Sequence, residues 1–296
     1  MSACCSPSRP DAAVPERPSG GRRQSRARGL VAVPGGRAVL GYEGPLANPG
    51  EGEGPTREVE LGAFWIGATT VTNQQFATFV KATGYTTLAE REGWSFVFHL
   101  QVREPAAVRG AVEAAPWWLA TDGASWRQPE GPGSDAFQLP QHPVVHISAH
   151  DAEAYAEWAG VRLPIEDEWE YAARGGLHGA VFPWGDEHPH QSRAARCHIW
   201  HGEFPRQHVD GTVGPVPVKS FAPNGYGLYQ AVGNVWEWTA DAWSVPHAGT
   251  DPEQRVRRGG SYLCHDSYCN RYRVAARDHS APGDTTSNVG FRVAAD

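Results

Sequence analysis

The sequence predicts a mixed α+β fold with little regular secondary structure, in which short elements are joined by many ordered turns. Two observations lead to this prediction. The 296 residues include 34 Gly and 24 Pro, which long helices use sparingly. Only three segments combine a helical apolar period with start and stop signals, and the strand-like runs are short. At 40% hydrophobic residues, the chain can still bury a sizeable core.

The first strands are predicted from short apolar runs. Residues 30–41, LVAVPGGRAVLG, contain two such runs around Pro-Gly-Gly and predict a hairpin. Residues 59–67, VELGAFWIG, predict a further strand. Near the end of the chain, residues 255–262, RVRRGGSY, and residues 289–295, VGFRVAA, predict strand-like pieces.

Three helices are predicted from capping signals. Thr72 and Gln75 fit a capping box for a helix over residues 72–84, which Gly84 ends. A second helix, residues 148–160, begins at Ser148 and ends at Gly160. A third and shorter helix covers residues 165–176 and is closed by two consecutive glycines.

A long segment from Gly93 to Gln141 separates the first two helices and shows no clear period. A loop of this length inside a compact domain is usually functional or disordered. Trp117, Trp118 and Trp126 favour order. Either they line a groove, or they pack beneath the segment as a satellite core.

The chain divides into a tail and one domain. Residues 1–29 are rich in Pro, Ser, Gly and Arg and predict a disordered tail, in which Cys4 and Cys5 are assigned no role. Residues 30–296 contain neither repeats nor a second linker, so we expect one domain. No apolar run has the length of a signal peptide or a membrane helix. We therefore expect a cytoplasmic protein with reduced thiols and no membrane partner.

The charge balance limits the partners of the domain. The formal net charge is −7, and the Arg-rich tail makes the remaining residues more acidic than this. Nucleic-acid binding requires a basic surface, so we expect no nucleic-acid partner.

Cys264 and Cys269 form the most informative pair in the domain. They lie five residues apart in GGSYLCHDSYCNRYRVAAR, residues 259–277. A structural zinc site needs four ligands, and the domain has no second cysteine pair. The residues alone leave three possibilities: a disulfide, one soft ion such as Cu(I) held by two thiolates, or two inert buried thiols. Cys197 stands alone and is predicted to be buried.

Two histidines have the spacing of a helical metal site, but the residues around them do not predict a helix. His142 and His146 are four residues apart, but Pro143 and the β-branched residues between them favour a strand. On a strand they would lie roughly 13 Å apart, which is too far for one metal ion. We predict structural or surface histidines.

Two glycine-bearing segments offer oxygen ligands. Residues 233–241, GNVWEWTAD, place Glu237 between two tryptophans, and residues 198–212, HIWHGEFPRQHVDGT, contain Asp210 near their end. Loop carbonyls with one carboxylate can hold a hard cation such as calcium. Neither segment has the spacing of an EF-hand.

Several motifs occur in a fixed order: RLPIEDEWEYAARGG, FPWGDE, NGYGLYQAVGNVWEWTAD and RRGGSYLCHDSYCNRYRVAAR, followed by SNVGFRVAAD. Together they resemble the formylglycine-generating enzymes, also called sulfatase-modifying factors. The similarity runs from about Leu30 to Asp296. The first motifs mark a wider superfamily that includes binding modules, and the double-cysteine segment is the specific one.

The resemblance implies a single domain that is distantly like a C-type lectin and an oxidase that uses molecular oxygen and copper. Such an enzyme converts the cysteine of a Cys-x-Pro-x-Arg motif in an unfolded sulfatase to Cα-formylglycine. The resemblance implies that Cys264 and Cys269 hold the copper ion as Cu(I) and that Ser261 is an active-site serine. Trp236 and Asn288 match residues of the oxygen and substrate pocket.

The resemblance also implies structural calcium sites, of which only part of the ligand set is kept. His198 and Gln230 each replace an asparagine, whereas ligands that act through backbone carbonyls survive substitution. The candidate calcium-binding residues are Ile199, Asp210 and Thr212 for one site, and Gln230, Gly233, Val235 and Glu237 for the other.

Two other kinds of protein share this fold. A lectin-like binding module would lack the cysteine pair. An iron-dependent sulfoxide synthase would need an additional helical domain with a His-x3-His-x-Glu site, and this sequence has Ser148 where the carboxylate should follow His146. Both comparisons favour the copper oxidase.

Overall fold

A computed structural model of the chain describes residues 7–8, 28–192, 195–209, 211, 213–246 and 248–296. The predicted tail therefore lies almost entirely outside the described residues, and its extent stays a prediction. Regular elements in the described part are short: the longest helices have 11 residues and the longest strands have 10. The prediction of a mixed α+β fold with little regular structure is confirmed. Within the described ranges, no helix has the length and apolar character needed to cross a bilayer.

The described residues form four α-helices and fourteen strands, interspersed with three short 3₁₀ turns. The helices are α1 (Asn73–Thr83), α2 (Leu88–Glu92), α3 (Ala149–Ala159) and α4 (Glu166–Arg174). The strands are β1 (Leu30–Val33), β2 (Gly36–Leu40), β3 (Arg57–Leu61), β4 (Phe64–Gly67), β5 (Trp94–Phe98), β6 (Val108–Val112), β7 (Ala115–Asp122), β8 (Gly202–Glu203), β9 (Gln207–His208), β10 (Trp236–Val245), β11 (Gly249–Arg258), β12 (Arg277–Ser280), β13 (Val289–Phe291) and β14 (Ala294–Ala295).

The three predicted helices are confirmed, with their caps. The Thr72 side chain accepts a hydrogen bond from the backbone N–H of Gln75, and Gly84 ends α1 in the left-handed conformation with φ 69°. Ser148 and Gly160 begin and end α3 in the same way. The short helix α2 was not predicted, because its five residues are too few to show a helical period.

The predicted hairpin over residues 30–41 is wrong. Its two runs do form β1 and β2, but β1 pairs with β4 and β2 pairs with β3, each antiparallel. The turn between them sends the two runs into different sheets. The segment 59–67 likewise divides between β3 and β4.

The long segment from Gly93 to Gln141 is ordered and contains a sheet. β5, β6 and β7 form a three-stranded antiparallel sheet in the order β5-β7-β6, with register shifts between β6 and β7. Those irregularities interrupt the alternation of apolar and polar residues from which strands are predicted.

One four-stranded sheet, in the order β12-β11-β10-β13, organises the C-terminal third. β10 is antiparallel to β11 and parallel to β13. The start of β10, the start of β13 and the end of β11 therefore lie at the same end of the sheet. The loops at this end contain the double-cysteine segment and Asn288. The sheet therefore brings together residues that are far apart in the sequence.

The apolar interior has a main cluster and a smaller one. The main cluster packs α1, α3 and α4 against the sheets and includes Trp126, Trp169, Trp236 and Trp238. The smaller cluster joins the β5-β7-β6 sheet to Trp200 and Tyr262. Cys264 belongs to the main cluster and Leu263 to the smaller one, so the double-cysteine segment lies where the two clusters meet.

Candidate active site

The segment after β11 reaches the interior through two glycines. Gly259 and Gly260 have φ of 94° and 72°. A Cβ atom on Gly260 would lie 2.7 Å from the carbonyl oxygen of Arg271, and one on Gly259 would lie 2.9 Å from that of Ala231. Only glycine combines this backbone conformation with such close packing. The Gly-Gly pair therefore brings the cysteine segment against the core.

Cys264 and Cys269 are brought to one buried cavity. Their exposed fractions are 1% and 6%, and neither forms a disulfide. The backbone N–H of Cys264 donates to the carbonyl oxygen of Ser261 at 3.0 Å, and the backbone N–H of Ser261 donates to the Cys264 sulfur at 3.4 Å. The backbone N–H of Cys269 donates to the carbonyl oxygen of His265 at 2.8 Å. Within this hydrogen-bonded turn structure, both cysteines line the same cavity.

The cavity is narrow and mostly apolar. Its volume is about 10 Å³, which is room for roughly one water-sized molecule. The residues that line it are Trp117, Phe204, Trp236, Ser261, Leu263, Cys264, Tyr268, Cys269 and Asn288. The structure thus collects all five residues that the resemblance assigned to catalysis and to the oxygen and substrate pocket.

Ser261 and Asn288 are held in a hydrogen-bonded chain. The Asn288 side-chain amide donates to the Ser261 hydroxyl oxygen at 3.0 Å, and the backbone N–H of Leu263 donates to the same oxygen at 3.3 Å. The Thr286 hydroxyl donates to the Asn288 side-chain oxygen at 2.7 Å. A serine oxygen has two acceptor positions, so both are used and the Ser261 hydrogen remains to be donated.

Trp236 is held by a backbone hydrogen bond and by packing of its ring in the core. Its N–H donates to the carbonyl oxygen of Asn288 at 2.9 Å, which ties β10 to the residue before β13. Its indole Nε1 is buried and has no hydrogen-bond partner among the described residues. A buried donor of this kind is available to a molecule that enters the cavity.

Three aromatic side chains that line the cavity contact one another. The Tyr268 ring stacks on Phe204 with centroids 4.4 Å apart, and Trp117 meets Tyr268 edge to face at 5.2 Å. Sequence reasoning did not select Phe204 or Tyr268, although Tyr268 lies between the two cysteines. Of the two alternatives for the tryptophans, core packing holds for Trp118 and Trp126, which are 0% and 1% exposed, although Trp126 also lines a separate pocket beside α1. Trp117 lines the cavity of the two cysteines.

Cys197 is a different kind of thiol. It is buried as predicted, and burial raises its pKa to about 12. It is not among the residues that line the cavity. Cys197 is therefore a protonated core thiol and serves as an internal comparison for the pair.

The candidate calcium-binding residues lie in different surroundings. Asp210 and Thr212 lie outside the described residues, and Ile199 is fully buried. The carboxylate of Glu237 is bound by Arg292 and by the indole N–H of Trp169, so its charge is already compensated. Gln230 has an unusual φ of 44°, and its side-chain oxygen is buried without a partner in the described part.

The backbone around Gly233 and Val235 is shaped by close packing. Gly233 has φ of 76°, and a Cβ there would lie 2.5 Å from the carbonyl oxygen of His198. The Asn234 backbone N–H donates to that same carbonyl oxygen, and its side chain pairs with the backbone of Val216. The two segments with candidate ligands are therefore adjacent. Within the described ranges, no three His, Cys, Asp or Glu side chains surround a point where a metal ion could bind.

The two spaced histidines are structural, as predicted. His146 is fully buried, and its ring nitrogens bond to the Ser95 hydroxyl at 2.7 Å and to the Pro129 carbonyl oxygen at 2.8 Å. His142 is half-buried, and burial lowers its pKa. The expected strand is reduced to a single bridge between Pro143 and Thr72.

Fold and site together define a class of protein: a lectin-like domain whose irregular loops enclose a pair of buried thiols. Residues 16–296 match the model of the sulfatase-modifying factor enzyme 1-like domain. The chain is 54% identical over 289 residues to a formylglycine-generating enzyme of Thermomonospora curvata, with 92% of this chain and 95% of the relative covered. It is 50% identical over 300 residues to one of Streptomyces coelicolor, with 97% and 95% covered. The chain therefore belongs to the formylglycine-generating enzyme family.

Two further comparisons show similarity to proteins that are not named as active formylglycine-generating enzymes. The solved structure of PvdO from Pseudomonas aeruginosa superposes with a TM-score of 0.65 at 25% identity, covering 90% of this chain and 94% of that one. An inactive Cα-formylglycine-generating enzyme 2 of Bos taurus is 43% identical over 274 residues, with 90% of this chain and 87% of the relative covered. A relative named as inactive thus keeps 43% identity over most of the chain, so membership of the family alone does not establish which residues act, and the site has to be considered residue by residue.

Proposed function

We propose that this protein is an oxidase that converts the cysteine of a Cys-x-Pro-x-Arg motif in unfolded sulfatases to Cα-formylglycine, using molecular oxygen and copper. The observation that carries the proposal is the pair Cys264 and Cys269, buried in one cavity with Ser261, Trp236 and Asn288. The names of two similar relatives, both formylglycine-generating enzymes, support the reaction. A binding module has no need for two thiols that line one cavity.

The two thiols fit copper in the Cu(I) state. Thiolate ligands select soft ions, and two sulfur atoms leave a position for a third ligand such as the substrate thiolate. Cys264 and Cys269 would hold the ion. Bound copper would supply the redox chemistry with oxygen that protein side chains lack.

The other residues of the cavity have roles that follow from their hydrogen bonds. Ser261 has both acceptor positions filled, so its hydroxyl donates a hydrogen bond to a negatively charged or reduced group in the cavity. Asn288 holds that hydroxyl in place and is itself held by Thr286. The apolar rings of Trp117, Phe204 and Tyr268 limit the access of water.

The reaction balances with one oxygen molecule and a thiol reductant. The substrate cysteine loses a hydrogen from Cβ and one from sulfur, which removes two electrons and gives a thioaldehyde. Water then replaces the sulfur, giving the aldehyde and hydrogen sulfide. Dioxygen accepts four electrons, two from the substrate and two from two molecules of thiol, which leave as a disulfide.

The size of the cavity supports an unfolded substrate. About 10 Å³ cannot hold a cysteine side chain, so residues that line the cavity have to move when a peptide binds. Cys264 and Cys269 are themselves buried, so a cysteine in the core of a folded sulfatase could not reach them. We expect only extended peptides and unfolded chains to react.

A direct test is conversion of a Cys-x-Pro-x-Arg peptide with Cu(I), a thiol reductant and oxygen, followed by mass spectrometry and aldehyde labelling with a hydrazide. The wild-type protein should produce the aldehyde, and Cys264→Ser and Cys269→Ser should not. Cys197→Ser is the matched control and should stay active, because that thiol does not line the cavity. A peptide that keeps its mass with wild-type protein would show that the enzyme assignment is wrong.

For calcium, we propose that the Gln230 side-chain oxygen and the carbonyl oxygens of Gly233 and Val235 hold one structural ion. The partnerless, buried Gln230 oxygen supports this, since a buried acceptor of this kind needs a cation or a donor. Arg292 and Trp169 use three of the roughly four acceptor positions of the Glu237 carboxylate, so at most one position, on Oε1, remains for the ion.

A further inference from the structure

The first residues of the chain contain a copy of the substrate motif. Residues 5–9 read CSPSR, which is Cys-x-Pro-x-Arg. Of the five cysteines in the sequence, only Cys5 has proline two positions later and arginine four positions later. The adjacent Cys4 is followed at those positions by two serines. The tail to which sequence reasoning assigned no role thus carries the sequence that the proposed enzyme recognises.

The central residue of this motif is buried. Pro7 is buried and the neighbouring Ser8 is exposed; the other motif residues lie outside the described part. Proline is mostly exposed in proteins, so a buried proline in a segment rich in Pro, Ser and Arg is unusual. Pro7 is also a position that distinguishes the motif from the sequences around the other four cysteines.

The connection between motif and domain is long enough to reach the site. Residues 10–27 can span at most about 60 Å when extended. A domain of this size has a radius of gyration of roughly 18 Å. The motif can therefore lie at the cavity of its own chain. A tethered substrate also has an effective concentration in the millimolar range, far above that of most free partners.

We propose that the enzyme binds its own residues 5–9 at the cavity formed by Cys264 and Cys269 and converts Cys5 to formylglycine. The proposal rests on the proposed function. Cys5 would lose one hydrogen from Cβ and one from sulfur, water would replace the sulfur, and hydrogen sulfide would leave. One oxygen molecule would accept two electrons from Cys5 and two from a thiol reductant, giving water. The reaction takes place within one chain and is complete after a single turnover.

The test uses the full-length protein, loaded with Cu(I) and exposed to oxygen and a thiol reductant. Mass spectrometry of the peptide that contains Cys5 should show the aldehyde, and a hydrazide probe should label about one site per chain. Cys5→Ser should abolish labelling, whereas Cys4→Ser, its neighbour outside the motif, should not. Pro7→Ala and Arg9→Ala should slow labelling at least about tenfold, the lower range for loss of one recognised group.

Two further arms separate the possible outcomes. The labelling rate should not depend on protein concentration, and a rate that rises in proportion to it would show transfer between chains and overturn the intramolecular proposal. The Cys5→Ser protein should still convert an added Cys-x-Pro-x-Arg peptide. If that peptide is converted while Cys5 of the wild-type protein keeps its thiol, self-modification is wrong and the proposed function stands. If neither is converted, the proposed function fails, and self-modification fails with it.

Discussion

At the scale of single residues, Glu237 shows how this fold compensates a buried charge. Its two carboxylate oxygens accept from Arg292 at 2.6 and 2.7 Å, and one of them also accepts from the Trp169 indole at 2.6 Å. Glu237 and Arg292 are 1% and 0% exposed. The sequence shows that Glu237 lies between tryptophans and needs a cation, but its partner is far along the chain. The sequence around Glu237 therefore could not show whether calcium or an arginine compensates its charge.

Removal of the Glu237 charge should strongly destabilise the fold. Glu237→Gln leaves the Arg292 guanidinium buried without its counter-charge, and breaking such a pair costs about 3–5 kcal/mol. Urea unfolding should show a midpoint shift of that size. The control is Glu60→Gln, which removes an exposed partner of Arg37 and should cost less than about 0.5 kcal/mol. Equal effects of the two substitutions, or an equal loss when calcium is chelated from the wild type, would contradict this account.

The residues of the candidate site were predictable to very different degrees. Cys264 and Cys269 were selected because their spacing and types restrict the chemistry, and the structure places them at one cavity. Phe204 and Tyr268 were missed, because an aromatic residue at a cavity carries the same local signal as one in a core. For Trp118 and Trp126 the sequence left a groove and a core open for the same reason, and the structure shows both as core residues.

At the scale of elements, helices were predictable and strand pairings were not. A helix cap is formed by residues three apart, as in Ser148 and Asp151, so the sequence contains both partners. A strand can pair with any other strand of suitable pattern. The choice of β4 over β2 as the partner of β1 depends on packing of the whole domain. Long-range pairing of this kind has no local signature.

Two helix caps should respond to substitution with opposite signs. The Ser148 hydroxyl accepts from the Asp151 backbone N–H at 3.1 Å and donates to its carboxylate, so Ser148→Ala should destabilise the protein by about 1–2 kcal/mol. Ile165 occupies the cap of α4, is 40% exposed, and makes no side-chain cap bond. Ile165→Thr should therefore stabilise by roughly 0.5–1 kcal/mol. Denaturant midpoints measure both, and changes of the same sign would contradict the cap assignment.

At the scale of the whole molecule, the site is an assembly of distant segments. The backbone N–H of Trp200 donates to the carbonyl oxygen of Cys264 at 3.0 Å, and Asn288 joins Ser261 to the start of β13. The three segments meet only because β10 is antiparallel to β11 and parallel to β13. The resemblance to a family could name the residues, but only the complete sheet explains why they are neighbours.

This assembly predicts that copper stabilises the whole domain and not one loop. An ion bound only by the folded state stabilises it by about 2.7 kcal/mol when free Cu(I) is one hundred times the dissociation constant. For a domain of this size that corresponds to a rise in Tm of roughly 5 °C. Thermal unfolding of the reduced protein, with and without buffered Cu(I), measures the shift.

Two variants serve as controls for the copper site. Cys197→Ser should keep the rise in Tm, because its thiol lies outside the cavity, and the double variant Cys264→Ser/Cys269→Ser should lose it. Since Cys4 and Cys5 can also bind Cu(I), both should be serine in every protein compared. An equal rise in the double variant would place the ion elsewhere and remove the physical basis of the proposed copper site.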